Sequence, residues 1–311
     1  MLDILAITTP IYLVIAVGYM LVRVGFIKPV FVEALGQFAI RVSLPMLIFL
    51  AIAGSGQNGG LHLGLMAGYA VASLPLLIAG RFMLRHILGQ RPGQSWSMSL
   101  GIANPNSVMI GLPLATIIFP EQAATVFASF MLVENVIFIP LTLIAADLAG
   151  RKSQGLSKTL SGIGRSLIGN PLLTAVLLAL LARGLNWAPA GAFEASIRLL
   201  GQTGPGLALF YIGATVARLS LTAAPAIIST ITLGKLIIHP LIAALVFPWF
   251  VSDPTLVAVA ILFCAIPMLT IYPLLARKSD SEDLAATALL VATSLSFITV
   301  SATLYLIRVL I

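Results

Sequence analysis

Charged side chains are scarce in this chain of 311 residues. Only 9% of the residues are Asp, Glu, Lys or Arg, whereas 59% are hydrophobic. Soluble domains carry about 25% charged residues, so this shortage excludes an ordinary soluble domain and predicts an integral membrane protein. The basic residues behind the net charge of +7 are scattered between apolar segments. Because they form no patch, we expect no nucleic acid partner.

Cysteine and histidine are also rare. The single cysteine, Cys264, lies inside an apolar stretch, which excludes a disulfide framework. His62 and His86 fall in predicted loops without the spacing of metal ligands, so we expect neither a metal nor another cofactor. No basic region precedes the first apolar segment, which is long enough to span a bilayer. We therefore expect no cleavable signal peptide.

Long apolar segments dominate the rest of the chain. A membrane-spanning helix needs about 20 apolar residues, and ten segments of that kind are present. The predicted spans are 4–22, 33–53, 63–84, 96–119, 122–147, 167–185, 194–217, 223–249, 255–275 and 283–307. The connections are short, except for the polar stretch 149–165. The fold class predicted from this pattern is all-α integral membrane, with ten transmembrane helices.

Lys and Arg divide the predicted loops into two groups. With the N-terminus outside, the outer loops hold only Arg183, Arg198 and Arg308. The cytoplasmic loops then hold Arg23, Lys28, Arg81, Arg85, Arg91, Arg151, Lys152, Lys158, Arg165, Arg218, Arg277 and Lys278. Because basic loops stay in the cytosol, this bias predicts a multi-pass membrane protein with both termini outside the cytosol.

The second half of the sequence repeats the first roughly 160 residues later. The matches occur in the same order and include Pro10 with Pro171, Leu35-Gly36-Gln37 with Leu200-Gly201-Gln202, Pro75 with Pro240, Ala103-Asn104-Pro105 with Ala265-Ile266-Pro267, and Glu121–Thr125 with Asp283–Thr287. Each repeat holds five spans, an odd number, so the second repeat must be inverted. We predict repeats at 1–148 and 166–311, joined by a solvated cytoplasmic linker at 149–165. Inverted repeats with interrupted helices are typical of secondary transporters.

Spans 4 and 9 carry prolines at matching positions. Pro105 and Pro267 each remove a backbone donor and push the preceding residue out of helical geometry. Simple proline kinks would explain each span alone. Their pairing favours two broken helices that cross near mid-membrane and present half-helix N-termini to an anion. The substrate-binding candidates at this crossing are Asn104, Pro105, Asn106, Ser107, Pro267, Met268 and Thr270.

Ionisable residues fall inside several predicted spans. Lys235 and Glu134 each lie about twelve residues into a span, where an unpaired charge is costly. One hypothesis is that Lys235 and His239 attract the anionic substrate, while Glu134, Asn135 or His239 serves a coupling proton. The alternative is a structural pair between Lys235 and Glu134. Arg41 either lines the inner vestibule or extends to the headgroups.

The sequence resembles bacterial members of the auxin efflux carrier family, which is related to the plant PIN exporters and, more distantly, to the bile-acid:sodium symporters. The motifs that carry the resemblance run in order along the chain: Leu35-Gly36-Gln37-Phe38, Ser43-Leu44-Pro45-Met46-Leu47-Ile48-Phe49, Asn104 to Pro113, Gly169-Asn170-Pro171-Leu172, and Leu199 to Gly213. The resemblance covers essentially the whole chain.

The resemblance implies a fold like that of the bile-acid symporters. Spans 1, 2, 6 and 7 would form a scaffold, and spans 3–5 and 8–10 a moving transport domain in which spans 4 and 9 cross at the substrate. It also implies organic anions such as auxin, malate or malonate as substrates, and a homodimer through the scaffold. Span 9 has no acidic polar cluster for sodium, so we expect proton rather than sodium coupling if an ion is coupled.

Together these features predict a secondary active transporter of a small carboxylate, working by alternating access with an elevator-like or rocking motion. The alternative is a sodium-coupled symporter of amphipathic organic anions. A channel is a further reading, which substrate counterflow would separate from a carrier. The spans contain no Ser/His or paired-Asp arrangement, so we predict that the protein is not an enzyme.

Overall fold

A computed structural model describes residues 2–54, 60–149, 156–219 and 222–310, and the fold there is all-helical. Numbered along the chain, the helices are α1 (Leu2–Arg23), α2 (Val30–Ala53), α3 (Leu63–Ile87), α4 (Pro92–Ala103), α5 (Ser107–Ile118), α6 (Ala123–Ala149), α7 (Leu156–Ile168), α8 (Pro171–Gly184), α9 (Gly191–Val216), α10 (Pro225–Trp249), α11 (Pro254–Ala265), α12 (Tyr272–Ala276) and α13 (Glu282–Leu310).

Five helices in the described residues, namely α2, α3, α6, α10 and α13, are long and apolar enough to cross a membrane. The prediction of an all-α integral membrane protein is therefore confirmed. Shorter apolar helices, among them α5, α8 and α11, accompany them. Ten crossings arranged as an inverted repeat stay a prediction.

The predicted linker 149–165 differs from a solvated loop. Residues 150–155 lie outside the described residues, but α7 occupies Leu156–Ile168. Its sequence places apolar residues at positions 156, 160, 163 and 167, three or four residues apart, so they share one face of a helix. The polar composition of the stretch concealed this helical period.

Wider π-helical turns occur in five of the described helices, and prolines explain four of them. The fifth turn, Met83–Ile87 in α3, has no proline two residues after it. The other four occupy Ala39–Ser43, Ser107–Gly111, Glu134–Phe138 and Gly234–Ile238. Each is followed, two residues after its end, by a proline: Pro45, Pro113, Pro140 and Pro240. A proline lacks an N–H, and its ring clashes with the carbonyl four residues earlier. A π turn widens the helix there and relieves that clash. All four of these turns hold predicted site residues: Arg41, Ser107, Glu134 with Asn135, and Lys235.

The chain divides into two compact units. Unit 1 comprises Met1–His62, Val108–Met131 and Ile168–Arg218. In it α1 packs along α9, and α8 and α9 pack against α2. Glycines allow the contact between α1 and α9, because a Cβ on Gly213 would lie 1.8 Å from the carbonyl oxygen of Ile15. Such close backbone approach at small residues is typical of membrane helix pairs.

Unit 2 comprises Leu63–Ser107, Leu132–Leu167 and Leu219–Ile311. Its core gathers buried residues from α3, α4, α10, α12 and α13, including Met98, Leu236 and Leu289. The Tyr272 hydroxyl donates a hydrogen bond to the carbonyl oxygen of Met98 at 3.0 Å. This bond ties α12 to α4, the two helices that flank the segments described next.

Candidate functional site

Two extended segments of unit 2 lie against each other where α4 and α11 end. Asn104 takes an extended conformation (φ −102°, ψ 121°) after Ala103, and Ile266 does the same (φ −72°, ψ 158°) after Ala265. In both places the next residue is a proline, which disfavours helical geometry in the residue before it. The sequence therefore determines both helix ends.

Backbone pairing joins these segments. Pro105 and Met268 form an isolated antiparallel bridge, and the backbone N–H of Asn106 donates to the carbonyl oxygen of Pro267 at 2.8 Å. The Asn106 side-chain Nδ2 adds a bond to Thr270 Oγ1 at 2.6 Å. We call residues 104–106 and 266–270 the crossing segments. Their contact brings together the polar positions that the sequence had singled out in the two halves of the chain.

Asn104 stands out within the crossing segments. Its side chain is fully buried, and within the described part of the chain neither its Oδ1 nor its Nδ2 has a hydrogen-bond partner. A buried polar group without partners costs about 1–3 kcal/mol. Such a group in a native structure calls for a missing partner such as water or a ligand.

Lys235 reaches the end of α11 from the π turn of α10. Its Nζ donates to the backbone carbonyl oxygen of Cys264 at 2.8 Å and contacts His239 Nδ1 at 2.7 Å. The last carbonyls of a helix lack intrahelical partners and carry partial negative charge. The ammonium therefore caps the C-terminus of α11, a role that the sequence hypothesis of direct anion binding did not include.

Glu134 lies on the π turn of α6 and bonds Ser107, the residue that follows the crossing segment 104–106. Its Oε1 accepts a hydrogen bond from Ser107 Oγ at 2.5 Å. The Tyr69 hydroxyl donates to the same oxygen at 3.5 Å and to the carbonyl oxygen of Ala103 at 3.4 Å, both long contacts. The end of α4 thus also receives a side-chain donor.

The alternative of a direct Lys235–Glu134 ion pair is not what the structure forms. Among the described residues the ion pairs are the exposed contacts Arg91–Asp280, Arg198–Glu194, Arg218–Glu33 and Arg277–Glu282. Lys235 and Glu134 are both buried, but each forms its hydrogen bonds with other groups.

Sequence reasoning missed Tyr69 and Ser73 on α3. Ser73 Oγ lies 2.8 Å from His239 Nε2, and the ring of Tyr69 lies 6.3 Å from the ring of His239. The signal was present in the sequence, since Tyr69 and Ser73 are polar residues four apart on one face of an apolar helix. A role for Tyr69 and Ser73 can be recognised only when the fold shows which residues lie beside them.

The remaining predicted residues divide between the two units. Asn135 is half-buried beside Glu134. Arg41 lies exposed on the π turn of α2, in unit 1, so it is not among the residues gathered in unit 2. Its two predicted roles stay open, and the substrate and proton roles of the other residues also stay predictions.

This arrangement, with two proline-ended helices and a buried polar network between apolar helices, is typical of a membrane carrier. The sequence model of the family described as "Membrane transport protein" matches residues 4–305. The chain belongs to this family, that of the auxin efflux carriers, and is a multi-pass membrane transporter and not an enzyme.

Two curated relatives are similar over most of their length. A "Putative malonate transporter" of Rhizobium meliloti (strain 1021) is 25% identical, over 99% of this chain and 97% of the relative. "Auxin efflux carrier component 8" of Arabidopsis thaliana is 23% identical, over 84% of this chain and 85% of the relative.

Proposed function

We propose that the protein is a secondary active transporter of a small organic anion, a carboxylate such as malonate, malate or an auxin-like acid. The observation that carries the proposal is the buried amide of Asn104, which lacks partners in the described residues and sits in the crossing segments. A carboxylate that accepts from Nδ2 would remove the cost of that orphaned donor. The names of the two relatives support the same substrate class.

The charges around the crossing segments favour an anion over a cation. Lys235 provides a buried positive charge at the end of α11. We propose that it attracts the substrate electrostatically while its own hydrogen bonds hold α11 in place. Asn106 and Thr270, already bonded to each other, would fix the spacing of the two segments.

We propose that transport proceeds by alternating access in an inverted repeat of ten spans, with spans 4 and 9 as the broken crossing helices. The proline-ended helices α4 and α11 support this assignment, because irregular backbone at membrane depth persists only where it is buried or lines a cavity. Spans 3–5 and 8–10 would then move as an elevator-like transport domain against spans 1, 2, 6 and 7. We also propose that the protein lies in the bacterial inner membrane with both termini outside the cytosol, and that it forms a homodimer through the scaffold.

Counterflow in proteoliposomes tests the proposed function. Vesicles loaded with unlabelled malonate, malate or indole acetate are diluted into trace amounts of the labelled acid. A carrier exchanges the two and transiently concentrates the label, whereas a channel only equilibrates it. Repeating the assay with sodium replaced by choline separates a sodium-independent carrier from a sodium symporter. No counterflow with any acid of the panel would refute the anion assignment.

A further inference from the structure

The buried network of unit 2 contains two sites where a proton could bind, at Glu134 and at the pair Lys235–His239. We infer that Glu134 carries the coupling proton and that His239 does not. The inference rests on the proposed function, since it names the ion that accompanies the anion. It follows from counting donors and acceptors around the two sites.

The pair Lys235–His239 has room for one positive charge. An ammonium has three donors and no acceptor, so the 2.7 Å contact requires His239 Nδ1 to accept. A doubly protonated imidazole would place a second N–H donor, and a second positive charge, against Lys235 Nζ. Both groups are fully buried, where two adjacent like charges are strongly unfavourable.

Ser73 completes this assignment on the other side of the ring. With Nδ1 accepting, a neutral His239 carries its proton on Nε2 and donates it to Ser73 Oγ at 2.8 Å. Both ring nitrogens are then satisfied, and the imidazole keeps one orientation and one tautomer. A proton added to His239 would break its bond with Lys235. The repulsion would also act on the bond from Lys235 Nζ to the Cys264 carbonyl oxygen.

Glu134 can accept a proton without breaking its bonds. Ser107 Oγ and Tyr69 Oη both donate to Oε1, so a proton that binds Oε2 leaves both contacts in place. The titratable and charged groups facing Glu134 are Tyr69 on α3, Lys235 on α10 and Cys264 on α11. Among them only Lys235 is an ammonium, and it contacts the Cys264 carbonyl oxygen and His239.

Protonation of Glu134 changes its hydrogen bond with Ser107, the residue next to the crossing segment 104–106. The bond from Ser107 goes to a carboxylate in one state and to a neutral carboxylic acid in the other, and a charge-assisted bond is about twice as strong. Ser107 follows Asn106, whose N–H is paired with Pro267. One proton that binds Oε2 from water on one side and leaves to water on the other therefore changes the strength of a bond one residue away from the contact that joins the crossing segments.

The test measures proton movement and substrate movement separately. The full chain is reconstituted in liposomes of phosphatidylethanolamine and phosphatidylglycerol with the pH dye pyranine trapped inside. Malonate is added at a pH well above the pKa of carboxylic acids, which is about 4, so that the substrate carries no proton of its own. Net uptake of labelled malonate is recorded on the same malonate-free vesicles, with the membrane potential clamped by potassium and valinomycin. Counterflow is recorded on parallel vesicles that are loaded with malonate.

Four proteins distinguish the sites. The wild type is expected to move protons with malonate. Glu134→Gln keeps an oxygen that accepts from Ser107 but cannot titrate, so it should lose proton movement while counterflow persists at a reduced rate. His239→Asn keeps an acceptor for Lys235 and should retain proton movement in proportion to its flux. Glu121→Gln, which alters an exposed acid, is the matched control and should match the wild type.

Three outcomes overturn the inference. Wild-type counterflow together with net malonate uptake that changes no internal pH refutes proton coupling and leaves the proposed function intact. Proton movement in Glu134→Gln at the wild-type ratio to malonate removes Glu134 from the role. Loss of proton movement in His239→Asn with counterflow kept transfers the role to His239. If His239→Asn does not insert, Ser73→Ala tests the same side of the network, with the same expectation as His239→Asn.

Discussion

The two compact units of this chain differ in their interiors: unit 1 has helix backbones in close contact at glycines, and unit 2 encloses ionisable side chains. In unit 1, α1 and α9 approach so closely that the carbonyl oxygen of Phe210 lies 2.2 Å from where a Cβ of Gly18 would be. In unit 2, the described core encloses Glu134, Lys235 and His239, all essentially without solvent exposure. Among the described residues, these buried ionisable side chains of a predicted site belong to unit 2 alone.

This difference bears on how each unit responds to substitution. Backbone packing through glycines leaves little room for rearrangement, because protein interiors resist a change of even one methylene. A buried polar network can instead exist in more than one protonation or ligand state. We therefore expect substitutions in unit 1 to change stability first, and substitutions in unit 2 to change transport first.

Removal of the Lys235 ammonium should give the largest loss of transport, and it tests most sharply whether substitutions in unit 2 change transport first. Lys235→Met keeps much of the volume but leaves the Cys264 carbonyl and His239 Nδ1 without their donor, which costs about 1–3 kcal/mol for each buried group. We expect loss of malonate transport in proteoliposomes. Lys28→Met, at an exposed lysine, serves as the control. Wild-type uptake by Lys235→Met would remove Lys235 from the mechanism.

Asn104→Ala should reduce affinity without reducing stability. The variant removes a buried amide that has no partner in the described residues, so the free energy of unfolding should stay the same or rise. Loss of one hydrogen bond to a charged ligand costs about 1.5–3 kcal/mol, roughly a 10- to 100-fold rise in KM. Concentration dependence of counterflow and thermal unfolding measure the two effects.

The isosteric change Asn104→Asp sharpens that result. It places a carboxyl group where the amide would meet the anion, so KM should rise further than in Asn104→Ala. An unchanged KM in both variants would show that Asn104 does not contact the substrate, and its lack of partners would then need another explanation.

Gly213→Ala should break unit 1 by packing alone. The new methyl group would lie 1.8 Å from the Ile15 carbonyl oxygen, and overpacking typically costs about 1–3 kcal/mol. We expect a lower melting temperature of the purified protein. The control is Gly206→Ala on the same helix, where no heavy atom lies within 4 Å of the new Cβ. Equal melting temperatures for the two variants would contradict the glycine argument.

The bond between Asn106 and Thr270 should give the smallest effect. A double-mutant cycle with Asn106→Ala and Thr270→Val isolates the 2.6 Å contact between the crossing segments. We expect a coupling free energy of about 0.5–1.5 kcal/mol, measured from thermal unfolding. A coupling near zero would mean that backbone pairing alone joins the segments.

Much of the fold could be predicted because the decisive signals are local. The apolar segments identified the membrane class, and Pro105 and Pro267 determined where α4 and α11 end. The helix α7 was missed, since its apolar period lies within a polar stretch. The π turns of α6 and α10 were missed as well, although Pro140 and Pro240 stand in the sequence two residues after them.

The candidate site shows where local reasoning stops. The crossing of spans 4 and 9 was predicted, whereas the hydrogen-bond partners of Glu134 and Lys235 outside their own helices were not. Ser73 lies 166 positions from His239, and Tyr69 lies 65 positions from Glu134. No periodicity or spacing connects residues so far apart, because their contact depends on how whole helices pack.

The sequence by itself determined the membrane class, the family and the positions of the helix ends, since composition and proline act within a few residues. The tertiary structure alone decided which groups Lys235 and Glu134 bond. A buried charge must take its hydrogen bonds from whatever donors and acceptors the packed helices bring near. Lys235 therefore bonds the carbonyl of Cys264 and His239, and Glu134 bonds Ser107, instead of each other.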